Sequence, residues 1–166
     1  MKTDTRAGNR LAVGGRINRE IPLDFHYNER PMRGFAGDTL ASALLANGVR
    51  VIGRSFKYHR PRGIFGAGFE DPNAMLAVRD GYGYDPAIRA GQIRLSAGMR
   101  AWNLTGWPSA DFDLGAVAGL AAPFLKAGFY YKTFMAPNWK WYEPLIRRAT
   151  GYGRPSPIPQ PRAREH

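Results

Sequence analysis

The chain has 166 residues, of which 44% are hydrophobic, so it can bury one modest core. It carries 24 Lys and Arg against 13 Asp and Glu, and the resulting net charge of +11 favours acidic partners without identifying their class. The sequence contains no cysteine, which excludes disulfides, thiol catalysis and an iron–sulfur cluster held by thiolates of this chain. With three histidines in total, we predict no dedicated metal site.

The first residues of the sequence and its hydropathy indicate the cellular location of the protein. The first ten residues, MKTDTRAGNR, are polar, and no later stretch approaches the ~20 consecutive apolar residues that span a bilayer. We therefore expect a cytoplasmic protein with no membrane partner.

The first predicted elements are β-strands. Residues 11–17 and 21–27 are β-rich, and the second stretch alternates apolar with polar side chains, as a half-buried strand does. A polar turn beginning at Asn28 follows, and residues 31–35 can form the returning strand.

A helix follows this hairpin. Asp38 or Thr39 can cap its first turn, and Gly48 is placed to take the left-handed conformation after its end near Asn47. The apolar stripe of this helix is formed by Leu40, Ala41, Leu44, Leu45 and Val49.

The middle of the chain is basic and rich in glycine. Residues 50–62 contain five cations and no acid, and residues 63–68 read GIFGAG, so a long basic loop is predicted. Strand patterns resume at residues 73–79 and 88–95, and residues 99–104 can form another short strand or a chain reversal onto the sheet.

These elements predict an α+β fold, a β-grasp domain over residues 10–106 that follows a flexible tail of residues 1–9. Residues 107–151 change in character and predict a helical annex, and residues 152–166 are a proline-rich tail. The aromatic content of the annex exceeds what one small sheet can cover, so we expect part of it to face a partner.

The basic loop interleaves cations with rings, and three interpretations stay open. It can be a solvated loop whose arginines pair with acids of a neighbouring subunit, a surface for a nucleotide phosphate, or a nucleic-acid surface. The last has no zinc-finger, helix-turn-helix or RNP pattern to support it. The residues concerned are Arg54, Phe56, Lys57, Tyr58, His59, Arg60 and Arg62.

The glycine loop does not follow the dinucleotide-binding pattern, because a strand rather than a helix is predicted after it. We expect it to pack on its own side chains, Phe65 and Phe69. No carboxylate partner is visible near His26 or His59 in sequence, and a hydrogen bond is favoured over base catalysis for both. Asp71, Asp111 and Asp113 are interpreted as loop and cap residues.

Four motifs together resemble one family: GDTLASALLANGV at 37–49, GRSFKYHRPRGIFGAG at 53–68, EDPNAMLAV at 70–78 and AGFYYKTFM at 127–135. They are similar to the N-terminal ferredoxin-like domain of the α subunit of heterotetrameric sarcosine oxidase. Related two-iron two-sulfur domains place cluster cysteines in and after this glycine loop. Because the corresponding stretch here has none, the resemblance implies a ferredoxin fold without a cluster.

In that family the domain is followed by a dinucleotide-binding and a folate-binding domain, and these 166 residues contain neither. The resemblance therefore implies a non-catalytic accessory subunit of an amine-oxidising flavoenzyme complex, with FAD, FMN or NAD on partner subunits. No activity is expected of the isolated chain, and the alternative is a free basic nucleic-acid-binding module. Arg60 and Arg62 are the candidates for reaching a dinucleotide phosphate on the partner. The predicted interface consists of Arg54, Lys57, Tyr58, Phe129, Tyr130, Tyr131 and Trp141.

Overall fold

The computed structural model describes residues 9–55, 58–66, 70–121 and 138–150. Its centre is a five-stranded mixed sheet, which together with a short helix gives the α+β class predicted from the sequence. The strands are β1 (Asn18–Tyr27), β2 (Arg30–Ala36), β3 (Gly53–Arg54), β4 (Pro61–Arg62), β5 (Met75–Asp80), β6 (Gly83–Arg89) and β7 (Arg100–Asn103). The helices are α1 (Leu40–Ala46), a 3-10 helix (Leu114–Ala121) and α2 (Trp139–Thr150).

The large sheet has the order β2-β1-β7-β5-β6, and β3 pairs with β4 in a separate two-stranded sheet. β1 runs antiparallel to β2 and parallel to β7, while β5 runs antiparallel to both β6 and β7. This arrangement is consistent with the ferredoxin-like fold.

The β1–β2 hairpin confirms the first predicted strand pair. Its turn places Asn28 at φ 47° and Glu29 at φ 64°, and two left-handed residues match the twist of the flanking strands. The alternation in β1 turns Phe25 and Tyr27 into the core, where each is buried.

The strand predicted at residues 11–17 is wrong. Gly14 and Gly15 have φ values of +88° and +79°, and two consecutive left-handed residues cannot continue an extended strand. Leu11 and Val13 are consequently exposed rather than packed.

Helix α1 begins where predicted, and Thr39 is its cap. The Ser42 amide donates to Thr39 Oγ1 at 3.2 Å and the Thr39 amide donates to Ser42 Oγ at 3.0 Å, which forms a capping box. Gly48 follows the helix at φ +79°, as expected. Leu45 departs from the predicted stripe because it is 42% exposed, while Ala43 is buried in its place.

Asp38 has another role than helix capping. Its carboxylate is buried, accepts two hydrogen bonds from the Arg10 guanidinium at 3.0 and 2.8 Å, and accepts the Phe35 amide at 2.9 Å. Ser42 Oγ donates to the same carboxylate at 2.7 Å. Asp38 therefore joins the N-terminal segment, β2 and α1 in one buried network.

The core lies between α1 and the large sheet, closed by residues of the intervening loops. Its largest fully buried apolar side chains are Phe25, Leu40, Leu44, Ile52, Leu76, Val78 and Met99.

The second half of the sheet agrees only partly with the prediction. β5 matches the strand predicted at 73–79, and β7 shows that the strand was the correct one of the two alternatives for residues 99–104. The strand predicted at 88–95 is wrong over most of its length, because β6 spans Gly83–Arg89. β6 is an edge strand with a proline at position 86, and its half-buried residues lack the apolar pattern of an interior strand.

The predicted basic loop contains the paired strands β3 and β4, so it is a short hairpin over part of its length. Beyond it, Phe65 is 82% exposed, and the expectation that it packs inside the glycine loop is wrong. Phe69 lies outside the described residues.

Two helical stretches, the 3-10 helix and α2, occur within residues 107–151. Lys57, Phe129, Tyr130 and Tyr131 lie outside the described residues, so the annex as a unit and the domain boundaries stay predictions. Trp141, on α2, is 77% exposed. In the part of the chain that the structure describes, no helix combines the length and apolar character needed to cross a membrane.

Candidate functional site

The basic segment folds into a hairpin of residues 53–62, called here the basic hairpin; residues 56 and 57 lie outside the described part. Ser55 closes its tip. The Ser55 amide donates to the Arg60 carbonyl at 2.9 Å, and its hydroxyl accepts the Arg60 amide at 3.0 Å. The His59 amide donates to the Ser55 carbonyl at 3.0 Å, and His59 adopts φ 50°. These bonds hold the main chain of His59 and Arg60 against Ser55.

Arg54 braces this hairpin against the segment that follows β7. Its Nε donates to the Ala110 carbonyl at 2.7 Å and its Nη2 to the Asp111 carbonyl at 2.9 Å. Its Nη1 donates to the His59 carbonyl at 3.2 Å. The main chain of Arg54 also exchanges hydrogen bonds with the Thr105 hydroxyl at 2.7 and 3.0 Å. Each guanidinium nitrogen thus has an internal acceptor, and the predicted contact of Arg54 with a partner stays a prediction.

His59 has a carboxylate partner that sequence reasoning missed. Its Nδ1 lies 2.6 Å from Oδ2 of Asp113, 54 residues away in sequence. Asp113 Oδ1 accepts the amides of Trp107 at 3.0 Å and Gly115 at 3.1 Å. Position 115 must be small, because an added Cβ would overlap the imidazole ring of His59. No local spacing signals this pair; the loop position of Asp113, which the sequence did indicate, was the only available pointer.

The Asp113 carboxylate is stabilised in its charged form. Burial alone would raise its pKa, but the hydrogen bonds from the Trp107 amide, the His59 ring and the Gly115 amide together lower the pKa below its ordinary value. The pair therefore acts as a polar clamp between the basic hairpin and residues 107–115.

Arg60 and Arg62 take no part in this clamp, and both are exposed. The Arg60 guanidinium lies over the Tyr58 ring, 4.9 Å from its centroid, in cation–π geometry. Among the described residues, no carboxylate forms an ion pair with either arginine. The structure thus brings the predicted residues Tyr58, Arg60 and Arg62 together on one hairpin with their charges available.

Four large apolar side chains lie exposed beside the same clamp. Trp107, Phe112, Leu114 and Val117 are 70%, 65%, 50% and 66% exposed. We call these four residues the apolar patch. Sequence reasoning indicated an exposed annex surface but placed it at the later aromatic residues.

The geometry is accompanied by clear relationships to known proteins. The sequence model of the 2Fe-2S iron-sulfur cluster binding domain matches residues 20–106. The chain belongs to this family. It is 54% identical over 159 residues to sarcosine oxidase subunit alpha of Rhizobium meliloti (strain 1021), covering 94% of this chain and 16% of that protein. It is 38% identical over 109 residues to sarcosine oxidase subunit alpha of Corynebacterium sp. (strain U-96), covering 64% of this chain and 11% of that protein.

These matches confirm the resemblance to the ferredoxin-like domain of sarcosine oxidase α subunits, and the chain spans about a sixth of the length of the R. meliloti relative. A solved structure, L-proline dehydrogenase from P. horikoshii, is similar with a TM-score of 0.41 and 22% identity, covering 56% of this chain and 17% of that one.

The family's cluster does not fit the residues of this ferredoxin-like domain. The sequence has no cysteine, and no group of three or more metal-ligating side chains occurs in the described ranges. The glycine loop is instead organised by Asp71, whose Oδ2 accepts the amides of Phe65 at 2.8 Å and Gly66 at 3.2 Å. Its Oδ1 accepts the Asn73 amide at 2.9 Å.

The hydrogen bonds of this loop stabilise the charged form of Asp71. Burial would raise the pKa of the Asp71 carboxyl, but the amides of Asn73, Gly66 and Phe65 outweigh it and lower the pKa. A carboxylate therefore holds the backbone of this loop at residues 65 and 66.

Proposed function

We propose that the chain is a non-catalytic accessory module of a sarcosine-oxidase-like, amine-oxidising flavoenzyme in the cytoplasm. The observation that carries this proposal is the 54% identity to a sarcosine oxidase α subunit in a sequence without a single cysteine. The fold is that of an electron carrier, and the thiolates needed for that role are absent. The oxidation of the substrate then takes place on partner subunits, which bind FAD, FMN or NAD.

The module contributes binding rather than chemistry. The polar pair that most resembles catalytic machinery, His59 and Asp113, is used as a clamp within the chain. What remains accessible is a basic hairpin next to exposed apolar side chains, a combination typical of protein interfaces. We propose that this surface faces the flavoprotein subunit.

Arg60 and Arg62 are the proposed contacts to a dinucleotide phosphate carried by the partner. Both guanidinium groups are exposed, and neither is neutralised by a carboxylate among the described residues. A planar guanidinium with several donors matches phosphate geometry. The Tyr58 ring contacts the Arg60 guanidinium in cation–π geometry.

A nucleic-acid-binding module is the rival function, supported by the net charge of +11. The aliphatic residues Leu114 and Val117 in the exposed surface argue against it, because they offer neither charge for phosphates nor a ring for base stacking.

Purification of the tagged chain from its native cells separates the two functions. The proposal predicts a co-purifying protein with the visible absorbance of bound flavin, bleached when sarcosine or a related N-methyl amine is added. The rival predicts co-purifying nucleic acid that is lost steeply as salt is raised. A chain that elutes with nucleic acid and without flavin would overturn the proposed function.

A further inference from the structure

The four side chains of the apolar patch are presented together by the local backbone. Asp113 is buried at its bridge with Pro108, whereas its neighbours Phe112 and Leu114 are 65% and 50% exposed. The Leu114 amide donates to the Trp107 carbonyl at 2.8 Å, which places these two residues next to each other.

The 3-10 helix extends the patch in a fixed direction. It begins at Leu114, and side chains three residues apart lie above one another in a helix of three residues per turn. Leu114 and Val117 therefore form one apolar ridge. Because the loop is fixed by the buried Asp113 carboxylate, little ordering remains to oppose binding at this surface.

The rim of the patch carries more basic than acidic side chains. The Arg54 guanidinium donates to the Ala110 and Asp111 carbonyls, and the acidic group is the exposed carboxylate of Asp111, next to Phe112. His59 contacts Asp113 between Phe112 and Leu114, and Arg60 is the next residue of the hairpin. Arg60 and Arg62 are exposed and lack carboxylate partners among the described residues. An apolar centre with such a rim is complementary to an apolar protein surface bordered by carboxylates.

We propose that the apolar patch forms the docking site for an apolar surface of the flavoprotein subunit that is bordered by carboxylates. This rests on the proposed function and adds residues 107–117 to the interface predicted from the sequence. A second copy of the chain is a poor occupant, because two basic surfaces from chains of net charge +11 repel each other.

The test compares two double variants of the full chain in the complex purified from native cells. Leu114→Ser with Val117→Ser disrupts the ridge. Leu11→Ser with Val13→Ser is the matched control, since it changes the same residue types at positions that are 82% and 80% exposed elsewhere. In the patch variant, the amount of bound flavin per chain is expected to fall about tenfold or more below wild type. The control variant is expected to bind the wild-type amount.

Substitutions at a single position test the sign of the charge that borders the partner's surface. They also keep the proposal testable if the double variant does not fold. Val117→Glu and Val117→Lys both place a charge on an exposed site, and the glutamate is expected to reduce bound flavin several-fold more than the lysine. Equal loss in the two variants would overturn the carboxylate rim.

The remaining outcomes are distinct. Full flavin retention by the Leu114 and Val117 double variant, or equal loss in the control, would overturn the docking site while leaving the proposed function standing. A wild-type chain without any flavoprotein would overturn both.

Discussion

His59 and Asp113 are joined by a 2.6 Å contact between Nδ1 and Oδ2, and this contact fixes the basic hairpin to the loop that carries the apolar patch. The two residues come from segments on opposite sides of β5, β6 and β7 in sequence. The surface assigned to docking is therefore formed only by the tertiary structure. The basic hairpin and the loop that carries the apolar patch are held together by a polar contact rather than by the core.

Removing the imidazole tests that clamp. His59→Ala leaves the buried Asp113 carboxylate without its side-chain partner, and we expect a loss of about 1–3 kcal/mol in the free energy of unfolding. Arg60→Ala, next in sequence and exposed, is the control and should change stability by about 0.5 kcal/mol or less. Urea unfolding measures both, and equal small effects would show that the clamp does not stabilise the fold.

Asp38 and Thr39 are adjacent but have different roles: Asp38 belongs to a buried hydrogen-bond network, and Thr39 caps α1. Asp38→Ala leaves the Arg10 guanidinium largely buried and unpaired, which is expected to cost about 3–5 kcal/mol. Thr39→Ala removes one arm of the capping box and should cost about 1 kcal/mol. Denaturant midpoints of the two variants give the comparison, and a larger effect for Thr39→Ala would contradict the assignment.

Leu44 and Leu45 are adjacent on α1 but differ in burial. Leu44 is fully buried, so Leu44→Ala should leave a cavity and cost about 2–5 kcal/mol. Leu45 is 42% exposed, and Leu45→Ala is expected to cost less than half as much. Similar losses in thermal or urea unfolding would mean that the helix is rotated relative to the structure.

Acid should weaken the fold through Asp113. Its pKa is lower in the folded chain than the ordinary value of about 3.9, so its contribution to stability is complete above that value. The contribution disappears as the pH falls through the lowered pKa. At neutral pH, the free energy of unfolding should therefore be larger for the wild type than for Asp113→Asn. This difference between the two proteins should become smaller below about pH 4. A gap that stays constant over this acid range would contradict the charged, hydrogen-bonded state of Asp113.

Local rules predicted those elements that local chemistry determines. The alternation in β1, the polar turn at Asn28 and the helix between Thr39 and Gly48 all follow from short-range patterns, and the structure confirms them. The stretch at 11–17 failed because two glycines in a row took left-handed angles, which composition permits but does not dictate.

The candidate site depends on contacts that no local pattern contains. The basic hairpin was recognised from its charge, yet its acceptors at Ala110 and Asp111 and the carboxylate partner of His59 lie more than 50 residues away in sequence. Asp38 has the residue type of a cap but is used as a buried counter-ion for Arg10. Burial decides such choices, and burial follows from the assembled fold.

The central claim, a non-catalytic module that works only within a flavoenzyme, is tested most directly by sarcosine-dependent oxygen consumption. The rate is measured on the purified 166-residue chain and on the native complex purified through it, with iron content determined on both. We expect no turnover and no stoichiometric iron in the chain alone, and amine-dependent turnover in the complex. Turnover by the chain alone, or stoichiometric iron bound to it, would contradict the account.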